Sequence, residues 1–108
     1  MAEITRKELV LALIAAGDRP RLSGLDLSGL DLSHIDLRGA DLTGADLSSC
    51  ILHRANLESA NLSRANLTEA NLSSANLSKS VLHHTILYSA DLDDAIMISA
   101  DCLETMFK

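Results

Sequence analysis

The side chains able to do chemistry in this chain are four histidines, two cysteines and a large set of serines. His34 and His53 are nineteen residues apart, so their meaning depends on how the chain turns between them. If it coils with four sides, the two imidazoles share a side in adjacent coils and resemble half of a metal site. No third ligand falls near them, and both occupy variable outward positions, which reads as solvated surface. His83-His84 is an adjacent pair in a corner and reads the same way. No serine has a histidine and an acid arranged around it. The chain has no G-x-G-x-x-G, P-loop, H-E-x-x-H or C-x-x-C segment. Neither a metal nor a cofactor is expected, nor an enzyme.

The frame that carries these residues explains the scarcity. Leucine recurs every fifth residue from Leu22 to Leu92, fifteen times, and Met97, Cys102 and Phe107 continue the phase. In a strand a five-residue step flips the side chain to the other face. In an α-helix it rotates it by about 140°. The register never drifts, so each five-residue unit must turn the chain by a fixed angle with leucine inward. That is a solenoid of short straight sides joined by corners. Two residues before the leucine stands Ala at ten of eighteen sites, a second inward position where room is scarce. Just before the leucine stands Asp or Asn at twelve of eighteen sites, able to bond a neighbouring backbone group at a corner. The two residues after it are mostly Ser, Thr, Gly or charged, as in Ser28-Gly29 and Thr43-Gly44, and read as turn and outer surface. A rod filled with Leu offers no cleft for a substrate. It also has no room for aromatics, which are 2% of the chain.

Runs such as Ala40-Asp-Leu-Thr-Gly, Ala60-Asn-Leu-Ser-Arg and Ala65-Asn-Leu-Thr-Glu resemble the pentapeptide repeat family over residues 20–107. The resemblance implies an all-β right-handed quadrilateral β-helix with four repeats per coil. The five-residue period alone does not set the number of sides. Eighteen repeats would then make about four coils, a rod on the order of 20 Å long at one strand spacing per coil.

Residues 1–19 break the pattern. Thr5-Arg-Lys-Glu8 has the form of a capping box. An apolar stretch follows and Gly17 is a good stop, so a helix is expected over about residues 5–16. Its expected role is to cover the open end of the first coil, where Leu25, Leu30 and Ile35 replace the inward Ala. The apolar run is too short to span a bilayer, and Glu3 and Glu8 interrupt a basic start, so no membrane anchor or secretory leader is expected. Cys50 and Cys102 fall on inward positions too far apart for a disulfide and read as buried thiols in a reducing, cytoplasmic setting.

Charge and the C-terminal third give the partner expectations. Net charge is −6, and the first twenty residues are neutral, so the excess lies on the repeats. With four sides, Asp31, Asp91, Asp93 and Asp94 collect against Arg54 on the side of Leu32, Leu52, Leu72 and Leu92, a candidate acidic partner-binding side. An acidic balance argues against direct nucleic-acid binding. The outward site before the centre turns apolar at Val81, Ile86, Ile96 and Met106, with Ile98, Leu103 and Phe107 added. These seven are the candidate self-association residues, implying a homodimer through the C-terminal end. Dimerisation through that end is also what the resemblance implies. The competing explanation is that these outward groups merely stack in ladders along the sheet; a third is a longer parent chain whose next segment would cap this end.

Taken together, the sequence predicts a helical cap over 1–19, a solenoid over 20–108, and a scaffold that binds an unknown protein partner. The alternative comes from the resemblance: some acidic members mimic duplex DNA and bind DNA gyrase or topoisomerase IV. This rod is shorter than theirs, and five of the sites before the centre carry neutral Asn.

Overall fold

The structure, a computed structural model, describes residues 4–16 and 19–107. Helix α1 spans Arg6–Ala16. Thr5 and Glu8 close the expected box at its start: the Glu8 N–H donates to Thr5 Oγ1 at 3.1 Å, and the Thr5 N–H donates to Glu8 Oε1 at 3.0 Å. The expected stop at Gly17, with Glu3 and Lys108, lies outside the described residues.

From Arg21 on, the residue before each leucine pairs in parallel with the residue twenty further on: Arg21 with Asp41, Asp36 with Asn56, Val81 with Asp101. A twenty-residue coil built of five-residue units has four sides, and this is where the number of sides is decided. Only β1 (Ile86–Leu87) and β2 (Met106–Phe107) extend beyond a single-residue bridge among the described residues, paired in parallel at Ile86 with Met106 and Leu87 with Phe107. Corners come too often for longer strands.

One repeat shows the rule. Leu57 N–H donates to Asn76 O (2.7 Å), Ser59 N–H to Ser78 O (2.9 Å), and Asn76 N–H to Ala55 O (3.0 Å). Each side therefore gives two donors and one acceptor to the coil that follows. At the corner, Ala60 N–H closes back on Leu57 O (3.0 Å), and Ser59 between them has φ +60°. A four-residue closure with positive φ at its third residue is a type II turn. Gly24, Gly29 and Gly44 occupy that position in the early coils, whereas Arg54, Ser59 and Arg64 hold it later with nearly the same φ. The Asp or Asn before the leucine buttresses the turn. Asp46 Oδ1 accepts from Ser48 N–H (3.0 Å) and Oγ–H (2.6 Å), and Asn56 Oδ1 accepts from Glu58 N–H (3.1 Å).

Inside, the central leucines from Leu27 to Leu82 are completely buried, and the small position is filled by Ala40 to Ala75. Ser80 and Thr85 are buried there too, and their hydroxyls donate to Leu77 O and Leu62 O, both at 2.6 Å. Leu9 of α1 is buried in the same core, with Ile4, Val10 and Leu13 packed against it beside Leu25 and Leu30. Arg6 extends over the first coil: its guanidinium donates to Asp31 O and, at 3.0 Å, to Ser33 O. The opposite end is open among the described residues. Leu92, Met97 and Cys102 are only half-buried and Phe107 is 52% exposed, although all four hold the inward phase. Cys102 is half-buried among the described residues, not the buried thiol its inward position suggested. The whole measures 32 × 26 × 23 Å. No helix among the described residues is long and apolar enough to cross a membrane.

Candidate partner-binding surfaces

Each flat side displays columns of outward side chains in the twenty-residue register. On the side of Leu32, Asp31 pairs with Ile51, Ile51 with Asn71, and Asn71 with Asp91. Asp31 and Asp91 are thus three coil spacings apart, about 14 Å, with Ile51 and Asn71 between them. The structure gathers Asp91, Asp93 and Asp94 at the last coil and leaves Asp31 at the far end beside Arg6. The Asp31 carboxylate accepts from the Ser33 hydroxyl at 2.6 Å and the Ser33 N–H at 3.1 Å; these bonds, with Arg6 and His34 nearby, hold its pKa below the usual value. Asp91 accepts from Asp93 N–H at 3.0 Å.

The apolar candidates form a collar, not a flat patch. Val81 stands over Asp101 and is half-buried, as is Ile86 over Met106. Ile96 and Ile98, the latter 71% exposed, lie on the side of Leu77. Leu103, 58% exposed, lies on the side of Leu82, and Phe107 on the side of Leu87. Three adjacent sides of the last coil therefore carry apolar groups around its open interior, and the remaining side carries Asp91, Asp93 and Asp94.

The histidines resolve into contacts that sequence alone left open. His34 and His53 meet edge to face, ring centroids 5.9 Å apart. His53 Nδ1 lies 2.8 Å from Ser73 Oγ. Ser73 gives its own proton to Asn71 Oδ1 at 2.6 Å, so His53 is left as the donor and does not activate the serine. No group of three His, Cys, Asp or Glu able to hold a metal occurs among the described residues. His83 Nε2 sits 2.7 Å from Asp101 Oδ2, and His84 Nδ1 is 3.0 Å from Glu104 Oε2. His83 Nε2 is shielded from water and approaches the Asp101 carboxylate without an aligned hydrogen bond, a contact that is an ion pair only when the imidazole is protonated. These pairs fasten the last coil to the one before it. They follow the twenty-residue register, which is why sequence reasoning missed them. Cys50 is inert by construction: its thiol donates to Leu27 O at 2.9 Å, and burial pushes its pKa up to about 11.

The expectation of a rod without a cleft needs correction. A concave space of about 710 Å³ lies between α1 and the coils, lined by Arg6, Val10, Leu13, His34, Ile35 and Asp36 among others. It exists because a round helix laid across a square coil end leaves a gap along one edge. Its charged rim is self-paired, with Arg38 bonded to Asp36 at 3.0 Å and Arg6 to the coil carbonyls.

The family model of pentapeptide repeats (8 copies) matches residues 21–58, 50–87, 60–97 and 75–108. Among solved structures, the chain is similar to HetL, a pentapeptide repeat protein involved in heterocyst differentiation regulation from the cyanobacterium Nostoc sp. strain PCC 7120, at 41% identity and TM-score 0.72. That match covers 75% of this chain and 38% of HetL, so the chain spans well under half of that relative. It is similar over 100% of both chains to alr5209, a pentapeptide repeat protein from Nostoc PCC 7120, at 26% identity and TM-score 0.80. Rfr23 from the cyanobacterium Cyanothece 51142 matches at 34% identity and TM-score 0.54, over 82% of this chain and 60% of Rfr23. No curated protein sequence matches it. With the family model covering nearly every repeat, and coils of twenty residues built on inward leucines, this chain belongs to the pentapeptide repeat family, whose members fold as right-handed quadrilateral β-helices.

Proposed function

We propose that this protein is a non-enzymatic scaffold that binds a protein partner through its C-terminal end. On this reading the described repeats, from Arg21 to Phe107, act as a rigid stack of about four coils, with α1 packed over the first. The observation that carries the reading is the set of outward apolar side chains in the C-terminal repeats: Ile96, Ile98 and Leu103 are 46%, 71% and 58% exposed. Exposed apolar side chains gathered in neighbouring repeats favour an interaction site there. The partner is a protein, a second copy included; the net charge of −6 disfavours nucleic acid. The two free thiols favour a reducing compartment such as the cytoplasm.

The alternative reading is a DNA-mimic binder of DNA gyrase or topoisomerase IV. It draws on the grouping of Asp91, Asp93 and Asp94 on one side, and a supercoiling assay tests it. Inhibition at stoichiometric protein, lost on changing those three to Asn, would replace the scaffold reading. Light scattering over a range of concentrations tests the apolar surface with a second copy as occupant. The expected result is a dimer that Ile98→Ser with Leu103→Ser splits. A monomer at every concentration would remove the second copy as its partner.

A further inference from the structure

The space of about 710 Å³ between α1 and the coils is the size of a small-ligand or side-chain site. Val10 and Leu13 of α1 and Ile35 of the first coil give it an apolar wall. Its charged groups are unevenly matched. The Arg6 guanidinium is engaged by Asp31 O and Ser33 O, and that of Arg38 by the Asp36 carboxylate. Glu58 of the second coil is half-buried, and no hydrogen bond or ion pair is found for its carboxylate among the described residues.

The backbone adds a second acceptor. In the repeats, the carbonyl just before each leucine points back at the preceding coil, as Asn56 O does to accept from the Leu37 N–H at 2.8 Å. Asp36 O points the same way, but α1 lies there in place of a coil, and no donor reaches this carbonyl among the described residues. On the neighbouring side the chain answers the same situation with a guanidinium. Arg6 donates to Asp31 O and Ser33 O, the two carbonyls that a preceding coil would bond through its N–H groups.

Acceptors without donors, set beside an apolar wall, call for a cation on an apolar stem. Asp36 pairs in parallel with Asn56, so Asp36 and Glu58 lie one coil and two residues apart, on the order of 8 Å. An ammonium is a point charge, whereas a guanidinium carries five N–H donors in a fixed fork and lays its stem along apolar surface. One head group can then serve a carboxylate and a carbonyl together. The space is larger than a single side chain, which leaves room for the residues flanking it in a chain.

We propose that the cleft between α1 and the first two coils is a recognition site for an arginine side chain in a segment of a protein partner, its guanidinium on the Glu58 carboxylate and Asp36 O and its stem along Val10, Leu13 and Ile35. The net charge of −6 draws a cationic segment toward it. The site extends the reading of the protein as a scaffold and does not depend on the apolar side chains of the C-terminal repeats.

The test uses the full chain and short capped peptides that carry one variable residue between two leucines: arginine, its neutral isostere citrulline, lysine or glutamate. Free L-arginine is the small-molecule probe. A nitrogen-15 NMR titration reads both affinity and place. The arginine peptide should bind at one per chain and shift the amides of Val10, Leu13, Ile35 and Glu58. The citrulline peptide and free L-arginine should bind at least tenfold more weakly, the lysine peptide severalfold more weakly, and the glutamate peptide not at all. Glu58→Gln, a change outside the core, should weaken the arginine peptide tenfold or more at an unchanged melting temperature. Glu69→Gln, which removes the same charge away from the cleft, should leave binding as it was. An arginine peptide that fails to bind, or binds no better than citrulline or lysine, would overturn the proposal. So would equal weakening by Glu58→Gln and Glu69→Gln, which would mean mere attraction to an acidic protein. Amide shifts away from the cleft, or preference for glutamate, would overturn it as well. Free L-arginine binding as tightly as the peptide would make this a small-molecule site and remove the protein partner. Light scattering on the C-terminal apolar surface is a separate measurement, so either reading can fail while the other stands.

Discussion

Leu57→Ala measures how strictly this fold stores its stability in the central leucine column. Leu57 is completely buried, as are its column neighbours Leu37 and Leu77. Removing the outer three carbons forfeits roughly 2.4 kcal/mol of transfer free energy. A cavity term adds to it, because the surroundings cannot collapse inward. Leu37 N–H is held by Asn56 O at 2.8 Å and Leu57 N–H by Asn76 O at 2.7 Å, so the backbone above and below is tied coil to coil. The total should come to about 4 kcal/mol, toward the upper part of the range for such changes. For a chain of this size that lowers Tm by roughly 20 °C. The same substitution at Leu92, half-buried in the open coil, should cost about 1 kcal/mol, because most of its contacts on one side are already missing. With one Tyr and no Trp, the assay is urea unfolding followed by far-UV circular dichroism, not fluorescence. If Leu92→Ala costs as much as Leu57→Ala, the end is closed or the interior is not filled coil by coil, and the reasoning fails.

Three further outcomes follow from the corners and the thiols. Gly44 has φ +69° with open space where a Cβ would stand, so Gly44→Ala should destabilise by about 1 kcal/mol through backbone strain alone, and Ser59→Gly should move stability the opposite way; urea midpoints for the pair read the sign. Hydrogen bonds from the hydroxyl and then the N–H of Ser28 lower the pKa of Asp26, and those from Thr43 do the same for Asp41. A lowered folded-state pKa gives stability that is fully present above the ordinary value of 3.8 and is lost as pH falls below it through the folded value. Melting temperature should therefore decline below about pH 4, and Asp26→Asn with Asp41→Asn should reduce that decline, since Asn keeps the turn bond without the charge; an unchanged acid profile counts against it. A thiol reagent at about pH 8 should label half-buried Cys102 well before Cys50, whose pKa is pushed up to about 11; mass spectrometry of peptides after partial labelling decides the order.

The sequence by itself determined the repeat, its inward leucine and alanine columns, the polar residue that buttresses each corner, and the helix capped by Thr5. Each of these is local. A five-residue period fixes which side chains turn inward, and a capping box is satisfied within a single helical turn. It did not determine the number of sides, because Leu at every fifth position is compatible with any constant turn angle; only the pairing of Arg21 with Asp41 and its successors settles on four. Everything that depends on that closure was hidden for the same reason. The separation of Asp31 from Asp91, the pairing of His83 and His84 with Asp101 and Glu104, and the spread of Ile98, Leu103 and Phe107 over three sides all require knowing which residue lies twenty positions away in the next coil. The gap beside α1 and the partial exposure of Cys102 and Phe107 lie in the first and last described coils, and a periodic sequence describes the middle of a solenoid better than its outer coils. Burial there depends on whether another layer follows, which is a property of the assembled coils and not of any residue's own repeat.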